Sequence, residues 1–453
     1  MKKIALVLGF IAVSQSGFGQ QEGITSEVKE HIKARVDFEK NVGIVVGYID
    51  GDTVEYHSYG KTALTHGNDV DEYSVFEIGS ISKVFTTILL ADQVALGKMK
   101  LSDPIAKYLP EGVTVPVRNG KEITLQDLAT HTSGLPRMPT NINPSDATNP
   151  FADYAAQLTY DFLSNYELTR DIGATYEYSN YAMGLLGHIL ELHTGKSYEA
   201  LIMEKIASPY QMKDTKVVFT DAMKQRLAKG HAFQQEVRNW DFQTLVGAGG
   251  VRSTATDMVK FLKANMENAN TNISKAMKMS HQVAYTNDNF EIGLGWHYVK
   301  GENTIVWHNG RTAGYSSFTG FIEGTTKGVI VLSNSSETID DLGLKILDPS
   351  RELIFPKKKE KQTVIEVDEA ILETYVGRYE LAPTFSITVT REGNQLFVQA
   401  TNQPRFEVYA SAPTEFFLKV VEASISFHIN DNNEVESLTL HQAGQHAPGK
   451  KVE

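Results

Sequence analysis

Apolar and polar residues near the start of the chain form two β-rich runs, 42–49 and 53–60. The residues between them, 50–52, read Asp-Gly-Asp, and an Asp-Gly pair is typical of a tight turn. The two runs therefore predict a β-hairpin. The charged segment that precedes them, 26–40, predicts a helix.

A different pattern follows the hairpin. Residues 84–91 are apolar on nearly every side, which predicts a helix that is buried all round. From about residue 100 to residue 255 the pattern is helical and is interrupted by long polar loops. One of these loops, 136–150, is rich in Pro, Asn, Ser and Thr.

Strand patterns return after the helical part. Four runs are separated by short turns and are followed by a helical run, at 294–299, 304–308, 317–322, 328–333 and 338–347. Short turns join antiparallel neighbours, so these runs predict a meander closed by a helix. The hairpin and the meander most simply share one sheet, with the helical part inserted between them.

These patterns predict an α/β (α+β) fold, an antiparallel sheet flanked by helices, across residues 20–355. Its helical subdomain covers about 100–255. Residues 356–367, which include a lysine-rich stretch, read as a solvated linker. Residues 368–453 alternate in hydrophobicity between polar turns and predict a small, barrel-like, all-β domain.

Composition narrows the functional classes. The 453 residues carry a formal net charge of −12, which argues against nucleic acid or an anionic membrane surface as the main partner. The chain has no cysteine, and its 13 histidines form no spacing typical of metal ligands, so neither a metal nor another cofactor is expected. The sequence leaves the oligomeric state open.

The N-terminus predicts export. Lysines at 2–3 precede the apolar run 4–13, and Gly17 and Gly19 are the small residues required before a cleavage site. The apolar run is too short to span a bilayer stably. We therefore expect residues 1–19 to be a signal peptide, and the mature protein to be periplasmic or secreted without stable membrane insertion.

Ser80 and Lys83 are the first candidate catalytic pair. They are three residues apart at the start of the buried helix, so both side chains lie on one helix face. A serine becomes nucleophilic when a base takes its proton, and a lysine of lowered pKa can take it. A second Ser-x-x-Lys, Ser26 to Lys29, lacks both the preceding glycine and the apolar helix.

Tyr178 and Asn180 form the second candidate motif. A tyrosine beside a lysine ammonium has its phenolate favoured, which suits it to general base and then general acid catalysis. Asn180 offers an amide for Lys83 or for a substrate carbonyl. The pattern also occurs at 285–287, and a packed aromatic residue in a turn is the alternative interpretation of Tyr178.

His308, Asn309 and Gly310 end a predicted strand and form the third motif, which Arg311 follows. Gly310 would let substrate approach the backbone, and the backbone N–H of Arg311 would join that of Ser80 in an oxyanion hole. The alternatives are a solvent-bonded histidine and a plain surface arginine. A similar His-Thr-Gly at 193–195 follows a helix, where the glycine is better explained as the helix end.

The order of these motifs resembles that of a known family. Residues 76–83 resemble the active-site signature of class C β-lactamases nearly residue for residue. Residues 128–136 and 247–254 are similar to further segments of the β-lactamase-related serine hydrolases. The resemblance covers about residues 30–350 and implies the two-part fold inferred above.

The resemblance also implies site roles. Ser80 would be the acylated nucleophile, Lys83 and Tyr178 the proton shuttles, and Asn180 a ligand of lysine and substrate. The C-terminal part is similar to β-barrel appendages of some of these hydrolases.

One departure affects the substrate. Class C enzymes usually carry Lys-Thr-Gly where this chain has His308, Asn309 and Gly310, an arrangement more like that of D-alanyl-D-alanine peptidases, D-aminopeptidases and esterases. Histidine is only partly charged at neutral pH, and Arg311 is the candidate replacement cation. The leading hypothesis is a secreted serine hydrolase acting on β-lactams. The alternatives are a D-alanyl-D-alanine carboxypeptidase, a D-aminopeptidase or small esterase, and a non-hydrolytic penicillin-binding protein.

Overall fold

The computed structural model describes residues 23–288, 290–357, 363–383, 385–401, 403, 405–419, 423–442 and 445–452. The α-helices have these bounds: α1 Ser26–Asp37, α2 Ser82–Ala95, α3 Leu125–Ala129, α4 Ala156–Asn165, α5 Asn180–Thr194, α6 Tyr198–Ile202, α7 Asp221–Gln225, α8 Ala255–Met266, α9 Asn272–Ser280, α10 Asp340–Leu347 and α11 Glu369–Tyr375. Short 3₁₀ turns cover Gly79–Ile81, Ile105–Tyr108 and Val246–Ala248, and a π-helical turn covers Met203–Ala207.

The strands that precede residue 350 have these bounds: β1 Gly43–Asp50, β2 Thr53–Gly60, β3 Phe76–Glu77, β4 His231–Ala232, β5 Gln235–Glu236, β6 Arg252–Ser253, β7 Tyr285–Thr286, β8 Glu291–Ile292, β9 His297–Val299, β10 Ile305–Arg311, β11 Ser316–Ile322 and β12 Lys327–Ser333. The strands that follow it are β13 Gly377–Ala382, β14 Phe385–Glu392, β15 Gln395–Ala400, β16 Arg405–Ala412, β17 Glu415–Phe417, β18 Ala423–Ile429, β19 Val435–Gln442 and β20 Gln445–Lys451.

The predicted hairpin and meander form one antiparallel sheet, which confirms the predicted fold class. Its strand order is β2-β1-β12-β11-β10-β9-β8-β7. Strands β1 and β12, which are far apart in the chain, pair in a register that sets Ile44 opposite Ser333. This pairing joins strands from the beginning and the end of the part predicted over residues 20–355. The helical part lies between these strands in the sequence.

One strand is shorter than predicted. The run 294–299 was expected to be extended throughout, but β9 begins at His297. Gly295 has a φ of +75° and donates its N–H to Ala129 O at 3.1 Å. The chain therefore turns there to contact the helical part before it enters the sheet.

Both faces of the sheet are covered by helices, as the alternation of its strands requires. Val45, Val306 and Ile330 face a large apolar core that includes α2 and α8. The residues that alternate with them, such as Ile44 and Ile305, face a smaller core that α1 and α10 cover. Alternate side chains along β10 therefore lie on opposite faces of the sheet. This alternation determines on which face each residue of the third motif lies.

Local sequence signals set the ends of two helices in the helical part. Thr124 accepts a hydrogen bond from Asp127 N while the Asp127 carboxylate accepts one from Thr124 N, a capping box that begins α3. Gly195 ends α5 with a φ of +68°, which explains the glycine of the rival His-Thr-Gly motif by helix termination.

The C-terminal strands β13 to β20 close into an eight-stranded barrel, which confirms the barrel-like prediction. Its core contains Tyr375, Tyr379 and Phe427, and α11 covers one side with Leu372. Ile365 and Val367, from the segment predicted as linker, also pack against this core. The boundary between the two parts stays a prediction.

Within the described ranges, none of the helices combines the length and the apolar character that crossing a bilayer requires. The predicted signal peptide, residues 1–19, lies outside the described residues.

Candidate active site

The turn that carries Ser80 lies beside the end of β10. Ser80 is half-buried and belongs to a 3₁₀ turn, and α2 begins two residues later at Ser82, so Ser80 precedes the helix in whose first turn it was expected. Gly79 has a φ of +49°, and a Cβ at this position would lie 2.7 Å from Arg311 N. The positive φ and the close contact both require a glycine here. Because glycine has no side chain, the Arg311 backbone can lie beside the Ser80 turn.

Lys83 lies against Ser80 from inside the protein. Its Nζ is 2.8 Å from Ser80 Oγ and donates to Ala248 O at 2.6 Å. The side chain is fully buried. Burial, and next the positive charge of Arg137, hold the pKa of the Lys83 amine well below its usual value. A lowered pKa favours the neutral amine, and the neutral form can accept a proton from the hydroxyl beside it.

Tyr178 completes a cluster with these two residues. Its phenol ring lies 4.8 Å from Lys83 Nζ, and its hydroxyl interacts with the Ser80 hydroxyl. Burial raises the pKa of Tyr178 to about 12, although Ser80 and Arg137 act in the opposite direction. In contrast to the phenolate expected from the sequence, Tyr178 is therefore protonated near neutral pH, which makes it a proton donor.

The segment 128–136 positions Tyr178. His131 has a φ of +59°, and its ring lies 4.5 Å from the Tyr178 ring between centroids. Its Nδ1 accepts the Ser179 N–H at 3.1 Å, while Ser179 Oγ donates to Pro136 O at 2.6 Å. Ser179 also caps α5 through Ala182 N. These bonds hold the backbone on both sides of Tyr178.

Asn180 begins α5 beside this cluster. Its backbone N–H donates to Arg137 O at 2.9 Å, and its side-chain Nδ2 lies 3.5 Å from Met138 Sδ. The hydrogen bonds of Lys83 go to Ser80 and Ala248 rather than to the Asn180 amide that the sequence proposed as a ligand.

His308 faces the same cluster from β10. It is buried, and its ring centroid lies 6.4 Å from that of Tyr178 and 5.0 Å from that of His297. Its Nδ1 is 2.5 Å from Asn309 O. Burial, followed by the charges of His297 and Lys83, holds the pKa of His308 well below its usual value. His308 is therefore neutral, and it does not supply the charge of a lysine.

The other residues of this strand divide between its two faces. Asn309 donates to Asp340 on α10 at 2.6 Å, on the face away from Ser80. Arg311, two residues after Asn309, lies on the same face and is exposed. Its charge lowers the pKa of Asp340, but burial of Asp340 raises that pKa by more. Gly310 lies against the Ser80 turn, since a Cβ there would be 2.0 Å from Ile78 O.

The structure separates the rival motifs from this cluster. Ser26 and Lys29 lie on α1, where Lys29 pairs with Glu55 at 3.0 Å. Tyr285 is on the edge strand β7 and donates its hydroxyl to Ala174 O.

Sequence reasoning missed four contributors: His131, Arg137, the carbonyl of Ala248, and His297, whose pKa burial and Lys83 lower to about 4. Segments 128–136 and 247–254 were recognised as similar to a family, and this was the available signal for His131 and Ala248. No motif marked Arg137 or His297.

Comparison with known proteins agrees with this arrangement. Residues 28–346 match the family model described as beta-lactamase, and residues 361–451 match a domain of unknown function. The chain is 30% identical over 343 residues to the D-alanyl-D-alanine-carboxypeptidase/endopeptidase AmpH of Escherichia coli (strain K12), covering 69% of this chain and 87% of that protein.

Two further relatives extend the comparison. A penicillin-binding protein of Bacillus subtilis (strain 168) is 27% identical over 435 residues, covering 89% of this chain and 93% of that protein. A crystal structure of a beta-lactamase/D-alanine carboxypeptidase from Yersinia pestis, complexed with citrate, superposes with a TM-score of 0.59 at 26% identity, covering 70% of this chain and 93% of that one.

Proposed function

Because the chain belongs to the beta-lactamase family of serine hydrolases, we propose that it is an exported amide hydrolase that works through an acyl-enzyme on Ser80. The observation that carries this proposal is the 2.8 Å distance between Ser80 Oγ and the buried amine of Lys83. A lysine without its proton is a base, and burial beside a serine hydroxyl is how such a base activates its nucleophile.

Acylation begins when the neutral Lys83 amine accepts the Ser80 proton. Ser80 Oγ then forms a bond to the substrate carbonyl carbon, and the carbonyl electron pair moves to its oxygen. When the tetrahedral intermediate collapses, the C–N bond breaks and Tyr178 donates its proton to the leaving nitrogen. Lys83 returns the serine proton to Tyr178, so both groups recover their starting state.

The backbone N–H groups of Ser80 and Arg311 stabilise the oxyanion. Support comes from Gly79 and Gly310, which allow the Ser80 turn and the end of β10 to lie in direct contact. Backbone donors aimed at the developing charge typically contribute about 3–4 kcal/mol each to lowering the barrier.

Deacylation uses Lys83 as the base a second time, with water in place of Ser80 as the nucleophile. A water molecule attacks the ester carbon, and its proton passes to Lys83. Ser80 Oγ leaves with the electron pair of the broken ester bond and takes the proton back from Lys83. A site in which this second half is slow would be a penicillin-binding protein that traps its ligand, and kinetics distinguish that case from turnover.

β-Lactam hydrolysis is the first candidate activity. It is supported by residues 76–83, which resemble the class C signature, and by the family match over residues 28–346. Opening a β-lactam ring follows the acylation scheme above, with the leaving nitrogen still tethered to the acyl group.

Hydrolysis of D-alanyl peptides is the second candidate, with small esters as a related class. It is supported by His308, a buried neutral residue where class C enzymes usually carry lysine, and by the similarity to AmpH. Both candidates cleave an amide close to a carboxylate, and both require the same acyl-enzyme.

The test is a panel of three substrates with the purified protein: a chromogenic cephalosporin, an N-acyl-D-alanyl-D-alanine peptide and p-nitrophenyl acetate. We expect Ser80→Ala to lower kcat/KM by about 10³-fold or more, since the nucleophile is lost. Ser26→Ala is the matched control, because Ser26 is the exposed serine of the rival motif. Ser80-independent turnover of all three substrates would refute the acyl-enzyme.

Export is tested separately. Mass spectrometry of the protein recovered outside the cytoplasm should give a mature N-terminus at Gln20. A protein that keeps residues 1–19 and stays in the cytoplasm would contradict this part of the proposal.

A further inference from the structure

His308 and Arg311, the two residues that the sequence suggested for binding a substrate carboxylate, place no positive charge next to Ser80. His308 is buried and holds a lowered pKa, so its ring is neutral. Arg311 projects from the opposite face of β10, where its charge acts on Asp340. The cleft therefore needs another cation if its substrate carries a carboxylate.

Arg137 places a positive charge next to the Ser80 cluster. Its guanidinium carbon lies 5.2 Å from the centre of the Tyr178 ring, and the side chain is exposed to solvent. Its positive charge also acts on the buried residues Lys83 and His131, because it helps to lower the pKa of both. The guanidinium thus lies at the mouth of the site, on the solvent side of the proposed proton donor.

The backbone at Arg137 is anchored. Its carbonyl accepts the N–H groups of Asn180 at 2.9 Å and Tyr181 at 3.3 Å, the first residues of α5. Prolines at 136 and 139 restrict the chain on either side. Among the residues that the structure describes, no carboxylate is paired with this guanidinium, so its donors are available to a ligand.

We propose that Arg137 is a specificity-determining residue that binds the carboxylate of the substrate, the terminal carboxylate of a D-alanyl peptide or the equivalent group of a β-lactam. The inference rests on the proposed function, which supplies an amide substrate at Ser80. A guanidinium offers parallel N–H donors that match a carboxylate in a bidentate arrangement, which a neutral imidazole does not.

The experiment measures binding in the Ser80→Ala background, so that it does not depend on turnover. Isothermal titration calorimetry compares an N-acyl-D-alanyl-D-alanine peptide with its C-terminal amide, which lacks the charge. We expect Arg137→Ala to weaken binding of the free acid at least tenfold and to change binding of the amide less than twofold. Arg137→Lys should fall between, because it keeps the charge but loses the bidentate geometry.

Arg405→Ala is the matched control. Arg405 is also a partly exposed arginine that lies over an aromatic ring, 3.7 Å from the Phe397 centroid, but it belongs to the barrel. It should leave the binding of both ligands unchanged.

Equal weakening of acid and amide would overturn the proposal, because Arg137 would then act only by supporting Tyr178. No weakening, or no measurable binding of the free acid before substitution, would also overturn it. Failure of the proposed function has a different signature, which is the absence of Ser80-dependent hydrolysis in the substrate panel.

Discussion

The hydrolase part and the C-terminal barrel differ in what they bury. Around Ser80 the interior contains Lys83, Thr86, His131 and His308, and the Nε2 atoms of both histidines have no protein partner among the described residues. In the described part of the barrel, Ser426 is the one polar side chain that is buried. The barrel core is otherwise aromatic and aliphatic.

This difference indicates where the chemistry is. Burying an amine or an imidazole without full hydrogen bonding costs free energy, whereas burying Tyr375 or Phe427 releases it. A protein keeps such costly groups where their shifted pKa values are useful. The barrel, by this criterion, has the interior of a structural or binding module, and the hydrolase part has that of an enzyme.

Lys83→Met is expected to have the largest effect on activity, and it tests whether the polar interior of the hydrolase part serves catalysis rather than stability. Removing the proposed base should lower kcat/KM by about 10³-fold, while the free energy of unfolding falls by no more than about 1 kcal/mol, because the amine was already costly to bury. Steady-state kinetics and urea unfolding measure the two quantities.

Lys278→Met is the control for that substitution, since burial also lowers the pKa of Lys278. It should leave kcat/KM unchanged. A large loss of stability with Lys83→Met would mean that the amine is structural.

The next effect concerns the barrel. Phe427 stacks on Tyr375 with ring centroids 4.2 Å apart, so Phe427→Ala should cost about 3–5 kcal/mol of stability through lost burial and a cavity. Because none of the residues described around Ser80 belongs to this core, kcat at Ser80 should change less than twofold at temperatures where the barrel stays folded. Denaturation monitored by tyrosine fluorescence, together with kinetics, measures both.

Phe85→Ala provides the counterpart on α2, where Phe85 stacks on Phe261 at 4.3 Å. It should lower both stability and kcat, because α2 carries Lys83. The contrast between the two parts breaks down if Phe427→Ala lowers kcat as strongly as Phe85→Ala does.

The smallest expected effect is on the pH dependence of stability. Burial, then Lys83, lowers the pKa of His297 to about 4, below its usual 6.5. As the pH falls below 6.5 the unfolded state binds a proton that the folded state does not, so stability falls between about pH 6.5 and pH 4. His297→Gln should remove up to about 1.4 kcal/mol per pH unit from this slope.

Urea unfolding at several pH values between 7 and 5 tests this directly. An unchanged slope in the variant would show that His297 does not titrate in this range.

Much of the fold was predictable because it depends on local pattern. The hairpin at 42–60, the buried helix after Ser80 and the barrel strands follow from alternation and turn residues that neighbouring positions determine. The proximity of Ser80 and Lys83 is likewise local, since a spacing of three residues gives one helix face. Residues 294–296 departed from the prediction because a distant carbonyl, Ala129 O, turns the chain there.

The chain alone was sufficient to identify its family, its fold class and its candidate nucleophile with the neighbouring amine. Those properties are carried by short stretches whose geometry needs few distant contacts. The side of β10 on which Arg311 lies, the protonation of Tyr178 and the position of Arg137 required the folded molecule. Each depends on burial and on charges that are brought together from remote positions, and the dielectric surroundings of a group exist only once the chain has packed around it.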